Sequence, residues 1–114
     1  MTDKATLTTK FTTFKVLDVS TAHVTQHDTE ILKGHVDDAP EVHPQVIMSY
    51  EHGFFVSSWH NFTDNPEKFE EQLLDLGHSP SYVNLMRVAF ELGVKWVNLD
   101  CDAETYDFLP THEW

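Results

Sequence analysis

The C-terminal stretch WVNLDCDAETYDFLPTHEW, residues 96–114, joins a strand-like apolar segment to a dense set of acids. Its first four residues are rich in apolar side chains of the kind that favour a β-strand. Five acids follow, namely Asp100, Asp102, Glu104, Asp107 and Glu113. The same stretch holds Cys101, the only cysteine of the chain. Such a segment is compatible with an active site, a metal site or an acidic surface that binds a basic partner.

The first half of the chain predicts a strand, a helix and a hairpin. The segment FTTFKVLDVS (Phe11–Ser20) has the β-branched, partly alternating texture of a strand. Thr25 and Asp28 stand in the positions of a capping box, which predicts that a short helix begins there. The segment QVIMSYEHGFFVSSW (Gln45–Trp59) contains two apolar runs around a turn with a glycine, which predicts a β-hairpin.

The second half predicts two helices followed by a strand. Each helix begins with a capping residue and a proline, at Asn65–Pro66 and Ser79–Pro80, and each ends at a glycine, Gly77 and Gly93. The polar residues of the second helix form one narrow stripe, so most of that helix is expected to be buried. The segment Val94–Leu99 supplies the last strand.

These elements predict an α+β domain in the order β-α-β-β-α-α-β. We expect a mainly antiparallel sheet of about four strands with the helices packed on one face. Residues 1–14 are expected to form a flexible or edge-strand arm, and residues 15–114 a single compact domain. Large apolar side chains are costly in water, so we expect Phe108, Leu109 and Trp114 to cover one end of the core.

Composition places the chain among globular proteins. With 114 residues, of which 40% are hydrophobic and 12% aromatic, it suits one domain with a substantial core. No apolar run approaches the roughly 18 residues of a membrane span, and residues 1–10 are polar. A single cysteine can form neither an internal disulfide nor a thiolate cluster. The sequence therefore predicts a cytoplasmic monomer or homodimer that does not contact a membrane.

Charge is the strongest compositional signal. The formal net charge is −12, with +2 in residues 1–15 and −14 in residues 16–114. Such a field repels nucleic acid and accelerates encounter with a basic protein surface. Acidity can also serve solubility alone, but a net charge of roughly 2 to 8 suffices for that in a small domain. The excess favours a basic protein partner and argues against direct nucleic-acid binding.

Motifs for catalysis or metal binding are weak. His23 and His27 are four residues apart and could share a metal with Asp100 or Asp102 if both lay on one helix face. No HExxH motif and no Cys/His framework accompanies the pair, so the sequence predicts no metal and no cofactor. Cys101 stands between two aspartates, whose charge raises a thiol pKa and disfavours a nucleophile.

Four short blocks carry a family resemblance. They are VSTAHVT (Val19–Thr25), GFFV (Gly53–Val56), LDCDAE (Leu99–Glu104) and LPTHEW (Leu109–Trp114). In this order they resemble a family of small acidic proteins, a domain of unknown function, encoded on proteobacterial plasmids and integrative elements. The resemblance spans residues 15–114 and brings no functional residues with it. It implies a mobile-element setting, in which small acidic proteins often act against restriction or CRISPR defences.

The favoured hypothesis is an inhibitor that mimics nucleic acid. It would occupy the basic nucleic-acid-binding surface of a host defence nuclease or CRISPR complex. The predicted partner-binding residues follow the last strand (Asp100, Asp102, Glu104 and Asp107) or lie on a helix (Glu67, Glu70, Glu71 and Asp75). The alternative is a small metal-dependent enzyme or metal-binding domain that uses His23, His27 and Asp100 or Asp102. A third possibility is an adaptor or dimerisation module.

Overall fold

The computed structural model describes residues 11–36, 38, 42–57 and 65–114. They form four strands, Val16–Ser20 (β1), Ile47–Tyr50 (β2), Gly53–Ser57 (β3) and Trp96–Asp100 (β4). Three α-helices are present, Gln26–Gly34 (α1), Pro66–Asp75 (α2) and Pro80–Glu91 (α3), with a 3₁₀ turn at Thr21–His23. Apart from that turn, the element order agrees with the prediction. The first ten residues of the predicted arm and the last two of the predicted hairpin lie outside the described residues.

The helices begin where the sequence predicts. Thr25 and Asp28 form the capping box of α1, in which each side chain accepts a hydrogen bond from the other residue's backbone N–H. Pro66 and Pro80 open the other two helices directly after their caps. Glycines follow both of these helices with positive φ, 99° at Gly77 and 72° at Gly93. The N-terminal caps satisfy N–H groups that a helix leaves without an internal partner, and the N–H groups of Gly77 and Gly93 donate to carbonyls of the last turn.

The sheet is mixed, which corrects the predicted, mainly antiparallel arrangement. Its strand order is β1-β4-β3-β2, with β1 parallel to β4 and the two other pairs antiparallel. Parallel neighbours require a long connection, and all three helices lie between β1 and β4 in the chain. Side chains alternate between faces in both kinds of strand, so the sequence pattern carries no information on strand direction.

The helices pack against one face of the sheet, where the core forms. The strands contribute Val19, Ile47, Phe54, Val56, Val97 and Leu99, all at most 5% exposed. The helices contribute Leu32, Phe69, Leu73, Tyr82, Leu85, Met86 and Ala89 to the same cluster. In α3 the polar positions Asn84, Arg87 and Glu91 are exposed and five other residues are buried, as the narrow polar stripe predicts, although Phe90 is 43% exposed. None of the helices described is long and apolar enough to cross a membrane.

The opposite face of the sheet carries aromatic side chains beside polar ones. Phe55 and Trp96 stack with their ring centroids 5.0 Å apart. Tyr50 donates its hydroxyl to Asn98 Oδ1 at 2.6 Å, and Asn98 Nδ2 donates to Asp18 Oδ1 at 3.0 Å. This polar chain runs across the sheet from β2 to β1, so the strands are tied together by side chains as well as by the backbone.

The C-terminal segment folds back onto the domain through a buried histidine. His23 donates from Nδ1 to the carbonyl of Pro110 at 2.8 Å, and its Nε2 accepts the backbone N–H of Tyr106 at 2.9 Å. Further along, Trp114 Nε1 donates to the carbonyl of Val24 at 3.2 Å. The segment after β4 is therefore an integral part of the fold.

The predicted burial of the tail's apolar side chains is confirmed for one residue. Leu109 is 8% exposed and belongs to the core, whereas Phe108 is 77% exposed and Trp114 57% exposed. The prediction is therefore wrong for Phe108 and for Trp114, whose side chains remain exposed. Leu109 supplies the buried apolar contact of the segment, and hydrogen bonds to His23, Ala22 and Val24 hold it in place.

Leu109→Ala should lower the free energy of unfolding by about 2–5 kcal/mol, because it removes buried methyl groups and leaves a cavity. Phe108→Ala is the matched control, and its effect should stay within about 0.5 kcal/mol because the side chain is exposed. Urea denaturation of both variants measures the difference. Equal losses of stability would show that the tail is not held by Leu109.

Gly53→Ala should destabilise the domain by at least about 1–3 kcal/mol through overpacking. A Cβ at this position would lie 1.8 Å from the Leu99 carbonyl oxygen, in the backbone of the neighbouring strand. Gly34→Ala is the control, since nothing lies within 4 Å of its Cβ position. That substitution should be neutral or stabilising, because alanine is favoured in helices by up to about 1 kcal/mol. Thermal unfolding that ranks the two variants in the opposite order would contradict the close strand approach.

Candidate functional site

A cleft lies at the edge of the sheet where the parallel strands β1 and β4 end. Its volume is about 410 Å³. One wall is formed by Thr29 and Lys33 of α1, and the opposite wall by the β2–β3 turn. Thr21, Cys101 and Trp114 also line the cleft. Loops that leave the carboxyl ends of neighbouring parallel strands diverge around such a crevice, which is a common place for a binding site.

Of the four predicted acids in this part of the chain, Asp100 is the last residue of β4 and lies at this same edge, and the other three follow the strand. Asp100 is half-buried, and its Oδ1 accepts the backbone N–H of Asp102 at 2.8 Å. Asp102, Glu104 and Asp107 are exposed. The carbonyl of Glu104 accepts the backbone N–H of Ser20 at 3.2 Å, which ties this segment to the end of β1. The carboxylates are thus displayed on backbone that is hydrogen-bonded to the sheet.

The predicted acids of α2 divide into two groups. Glu67, Glu71 and Asp75 are exposed and spaced four residues apart along the helix. Glu70 instead makes two hydrogen bonds to Arg87 of α3, at 2.7 and 2.6 Å, and this pairing lowers its pKa. The helix therefore presents three exposed carboxylates in line, while the fourth, Glu70, joins α2 to α3.

The predicted histidine pair does not form a ligand group with the acids. Both ring nitrogens of His23 are occupied by the backbone of the C-terminal segment. His27 is 66% exposed on α1, with Nδ1 3.9 Å from Glu30 Oε2. His23 precedes the helix on which His27 lies, so the two side chains do not share a helical face.

Sequence reasoning missed a different group, formed by His52, Cys101 and Asp102. Their potential ligand atoms all lie within 4.8 Å of one another. Partial desolvation and the carboxylates of Asp102 and Asp100 raise the pKa of the Cys101 thiol, as the sequence predicts. His52 is far from the other two residues in sequence, and only the β3–β4 pairing brings its turn beside them. A predicted strand pairing would have been the signal needed to find it.

A second histidine group is buried between α1 and α3 and was also missed. The backbone N–H of Gln45 donates to His43 Nδ1 at 3.1 Å, so the proton of neutral His43 lies on Nε2 and faces His78 Nε2 at 2.9 Å. His78 donates from Nδ1 to Asp28 Oδ1 at 2.9 Å. Tyr82 stacks on the His78 ring with centroids 4.0 Å apart. We call Asp28, His78 and His43 the buried chain.

The buried chain holds one fixed charge beside two neutral rings. Burial by itself raises the pKa of Asp28, but hydrogen bonds from His78, Ser79 and Thr25 outweigh it and hold that pKa well below its usual range. Burial, together with His78 and His35, lowers the pKa of His43 to about 3. The three side chains are at most 3% exposed and do not line the cleft. The hydrogen-bonded order of Asp28, His78 and His43 resembles that of a catalytic triad. Because no member of the buried chain is accessible to a substrate, a structural role is better supported.

A mixed four-stranded sheet, three helices on one face and an acidic edge define a small acidic α+β domain. Within this class, the C-terminal domain of the family of unknown function DUF5983 matches residues 16–114, and the chain belongs to that family. The match begins at the first residue of β1 and includes every strand and helix described above. No curated protein and no solved structure matches the chain.

Stability should fall as the pH drops, because both depressed pKa values disfavour proton uptake by the folded state. Between about pH 6.5 and pH 3, unfolded His43 binds a proton that the folded state excludes, which lowers the free energy of unfolding by up to about 1.4 kcal/mol per pH unit. Below pH 3.8 the stabilisation from ionised Asp28 is lost as well.

The measurement is urea denaturation at several pH values for the wild type and two variants. His43→Gln should remove the contribution of His43 and flatten the curve between pH 4.5 and 6.5. His27→Gln is the control, because His27 is exposed, and it should keep the wild-type slope. An unchanged slope in His43→Gln would show that this histidine is not the source.

Proposed function

We propose that this chain is a non-enzymatic, acidic protein-binding inhibitor. It would occupy the basic nucleic-acid-binding surface of a host defence nuclease or CRISPR complex, and its setting would be a plasmid, an integrative element or a phage. The observation that carries the proposal is the placement of exposed carboxylates on the hydrogen-bonded backbone that follows β4.

Rigid carboxylates can replace phosphates as partners for basic side chains. Arg and Lys form charge-assisted hydrogen bonds with both groups, and an arginine can bind either one through two parallel bonds. Asp102, Glu104 and Asp107 are exposed and therefore free to meet such side chains. The balance of −14 over residues 16–114 would steer a basic surface toward them.

The aromatic face of the sheet could supply apolar contact beside the acids. Trp96 and Phe55 are half-buried, and Met48 is 42% exposed. Aromatic residues and methionine are enriched in protein interfaces, whose cores exclude charge while the rim stays polar. Asp100 lies on this face at the end of β4, with its Oδ2 3.2 Å from the Tyr50 hydroxyl oxygen. An acidic rim next to an aromatic surface suits a protein partner better than a small substrate.

The alternative that uses His23, His27 and Asp100 or Asp102 for metal-dependent catalysis has less support. Metal ligation requires a free lone pair on a ring nitrogen. In His23 the only nitrogen that lacks a proton accepts a backbone N–H, and the other donates to a carbonyl. Binding a metal there would detach the C-terminal segment.

The proposal predicts that binding to the partner depends on where the carboxylates lie on the domain as well as on the net charge. Asp102→Asn, Glu104→Gln and Asp107→Asn together remove three charges from the sheet edge and should slow association roughly tenfold or more at low salt. The triple variant Glu67→Gln, Glu71→Gln and Asp75→Asn removes three charges from α2 and is the matched control. It should retain most of the rate, while single substitutions should each cost only about 0–1 kcal/mol.

The full-length chain with an affinity tag recovers the partner from host lysate, and association rates are then measured at low and high salt. The partner should lose affinity for DNA or RNA when the chain is bound. Equal association rates for the wild type and the sheet-edge variant would exclude Asp102, Glu104 and Asp107 as the interface. A loss of rate in the α2 variant alone would assign the interface to the predicted acids of that helix. Unimpaired nucleic-acid binding by the occupied partner would overturn the proposed mimicry.

A further inference from the structure

An imidazole, a thiol and a carboxylate converge where the β2–β3 turn meets the end of β4. The ligand atoms of His52, Cys101 and Asp102 lie within 4.8 Å of one another, and His52 Nδ1 is 3.5 Å from Asp102 Oδ2. In the described ranges 11–36, 38, 42–57 and 65–114, no other three His, Cys, Asp or Glu side chains bring one ligand atom each to within 4.8 Å of the other two. These are three different side-chain types, each a common metal ligand, so the cluster is more specific than a patch of acids.

Backbone hydrogen bonds hold the three residues in place. Cys101 N–H donates to the carbonyl of His52 at 2.9 Å and joins the two turns directly. Asp100 fixes the second turn, because its side chain accepts from Asp102 N–H and its carbonyl accepts from Ala103 N–H. Gly53 permits the close approach, since any larger residue would strike the Leu99 carbonyl. The ligand-bearing backbone is therefore prearranged, and only side-chain rotation is needed to complete a site.

We propose that His52, Cys101 and Asp102 form a binding site for a thiophilic divalent transition metal of the zinc class. Zinc accepts sulfur at about 2.3 Å and nitrogen or oxygen at about 2.0–2.2 Å in tetrahedral geometry. Ligand atoms at the corners of such a tetrahedron are roughly 3.3–3.6 Å apart, as follows from those bond lengths. The 3.5 Å separation between His52 Nδ1 and Asp102 Oδ2 already meets this requirement.

The cleft gives such a metal an open coordination position. His52 and Cys101 both line the cleft of about 410 Å³, so a metal held by them would face its interior. Three protein ligands and one exchangeable position are characteristic of zinc sites that bind a water molecule or a ligand group. The fourth ligand would come from water or from a molecule that enters the cleft. This proposal does not depend on the proposed inhibitor function.

Cobalt and zinc titration of the reduced, full-length protein tests the site. Co²⁺ should bind with one equivalent per chain and give a thiolate-to-cobalt charge-transfer absorption, which Zn²⁺ then abolishes by displacement. Cys101→Ser should remove this absorption without changing the net charge. His52→Gln and Asp102→Asn should each weaken zinc binding at least roughly tenfold, since even outer-shell partners of a metal are worth about 10–100-fold.

Two controls separate ligation from general attraction of cations. Glu91→Gln removes one negative charge, as Asp102→Asn does, from an exposed carboxylate on α3 outside the cluster, and His27→Gln removes an exposed imidazole on α1. Both controls should keep wild-type affinity and absorption. Circular dichroism of every variant verifies the fold, which these exposed side chains should not affect. Binding that is unchanged in Cys101→Ser and His52→Gln, or no stoichiometric binding by the wild type, would overturn the proposal.

Discussion

A single buried carboxylate, Asp28, joins the parts of this domain that sequence separates. It accepts hydrogen bonds from Thr25 at the start of α1, from Ser79 at the start of α3, and from His78. Through His78 it also reaches His43, in the segment that leads into β2. An ionised carboxylate is costly to bury unless each oxygen is well hydrogen-bonded, so the surrounding groups have to be placed together. The placement of the starts of α1 and α3 beside each other follows from this constraint, while burial in the same region keeps His43 neutral by lowering its pKa.

The parallel pairing of β1 with β4 is the second constraint on the structure, because it forms the edge of the sheet that holds the cleft and the predicted acids. Ser20 and Asp100 are partners in the register, so both strands deliver their following segments to the same end of the sheet. The antiparallel β3 places the His52 turn at that end as well. The cleft, the acidic segment after β4 and the cluster of His52, Cys101 and Asp102 are therefore products of one topological arrangement. The same edge can serve a protein interface and hold a metal, since the exposed acids extend beyond the three clustered side chains.

The number of carboxylates that are available at the surface is smaller than the number of acids in the sequence. Counting residues treats all acids alike, but Glu70 is paired with Arg87 and Asp28 is enclosed, so neither contributes a free carboxylate to the surface. The exposed acids at the sheet edge retain their accessibility because their backbone, not their side chains, makes the stabilising contacts. Such an arrangement keeps the fold largely independent of the carboxylates that would meet a partner.

Local sequence patterns determined the helix caps, the hairpin, the element order and the burial of α3, because each of these depends on residues only a few positions apart. Net charge, likewise, could be read directly from composition. Strand direction could not, since alternation is identical in parallel and antiparallel strands, and the mixed sheet was therefore decided by tertiary packing. The same holds for the histidines: His23, His43 and His78 were enclosed by the fold, while His52 was brought to Cys101 and Asp102. Contacts between residues so distant in the chain depend on topology, which no local pattern specifies.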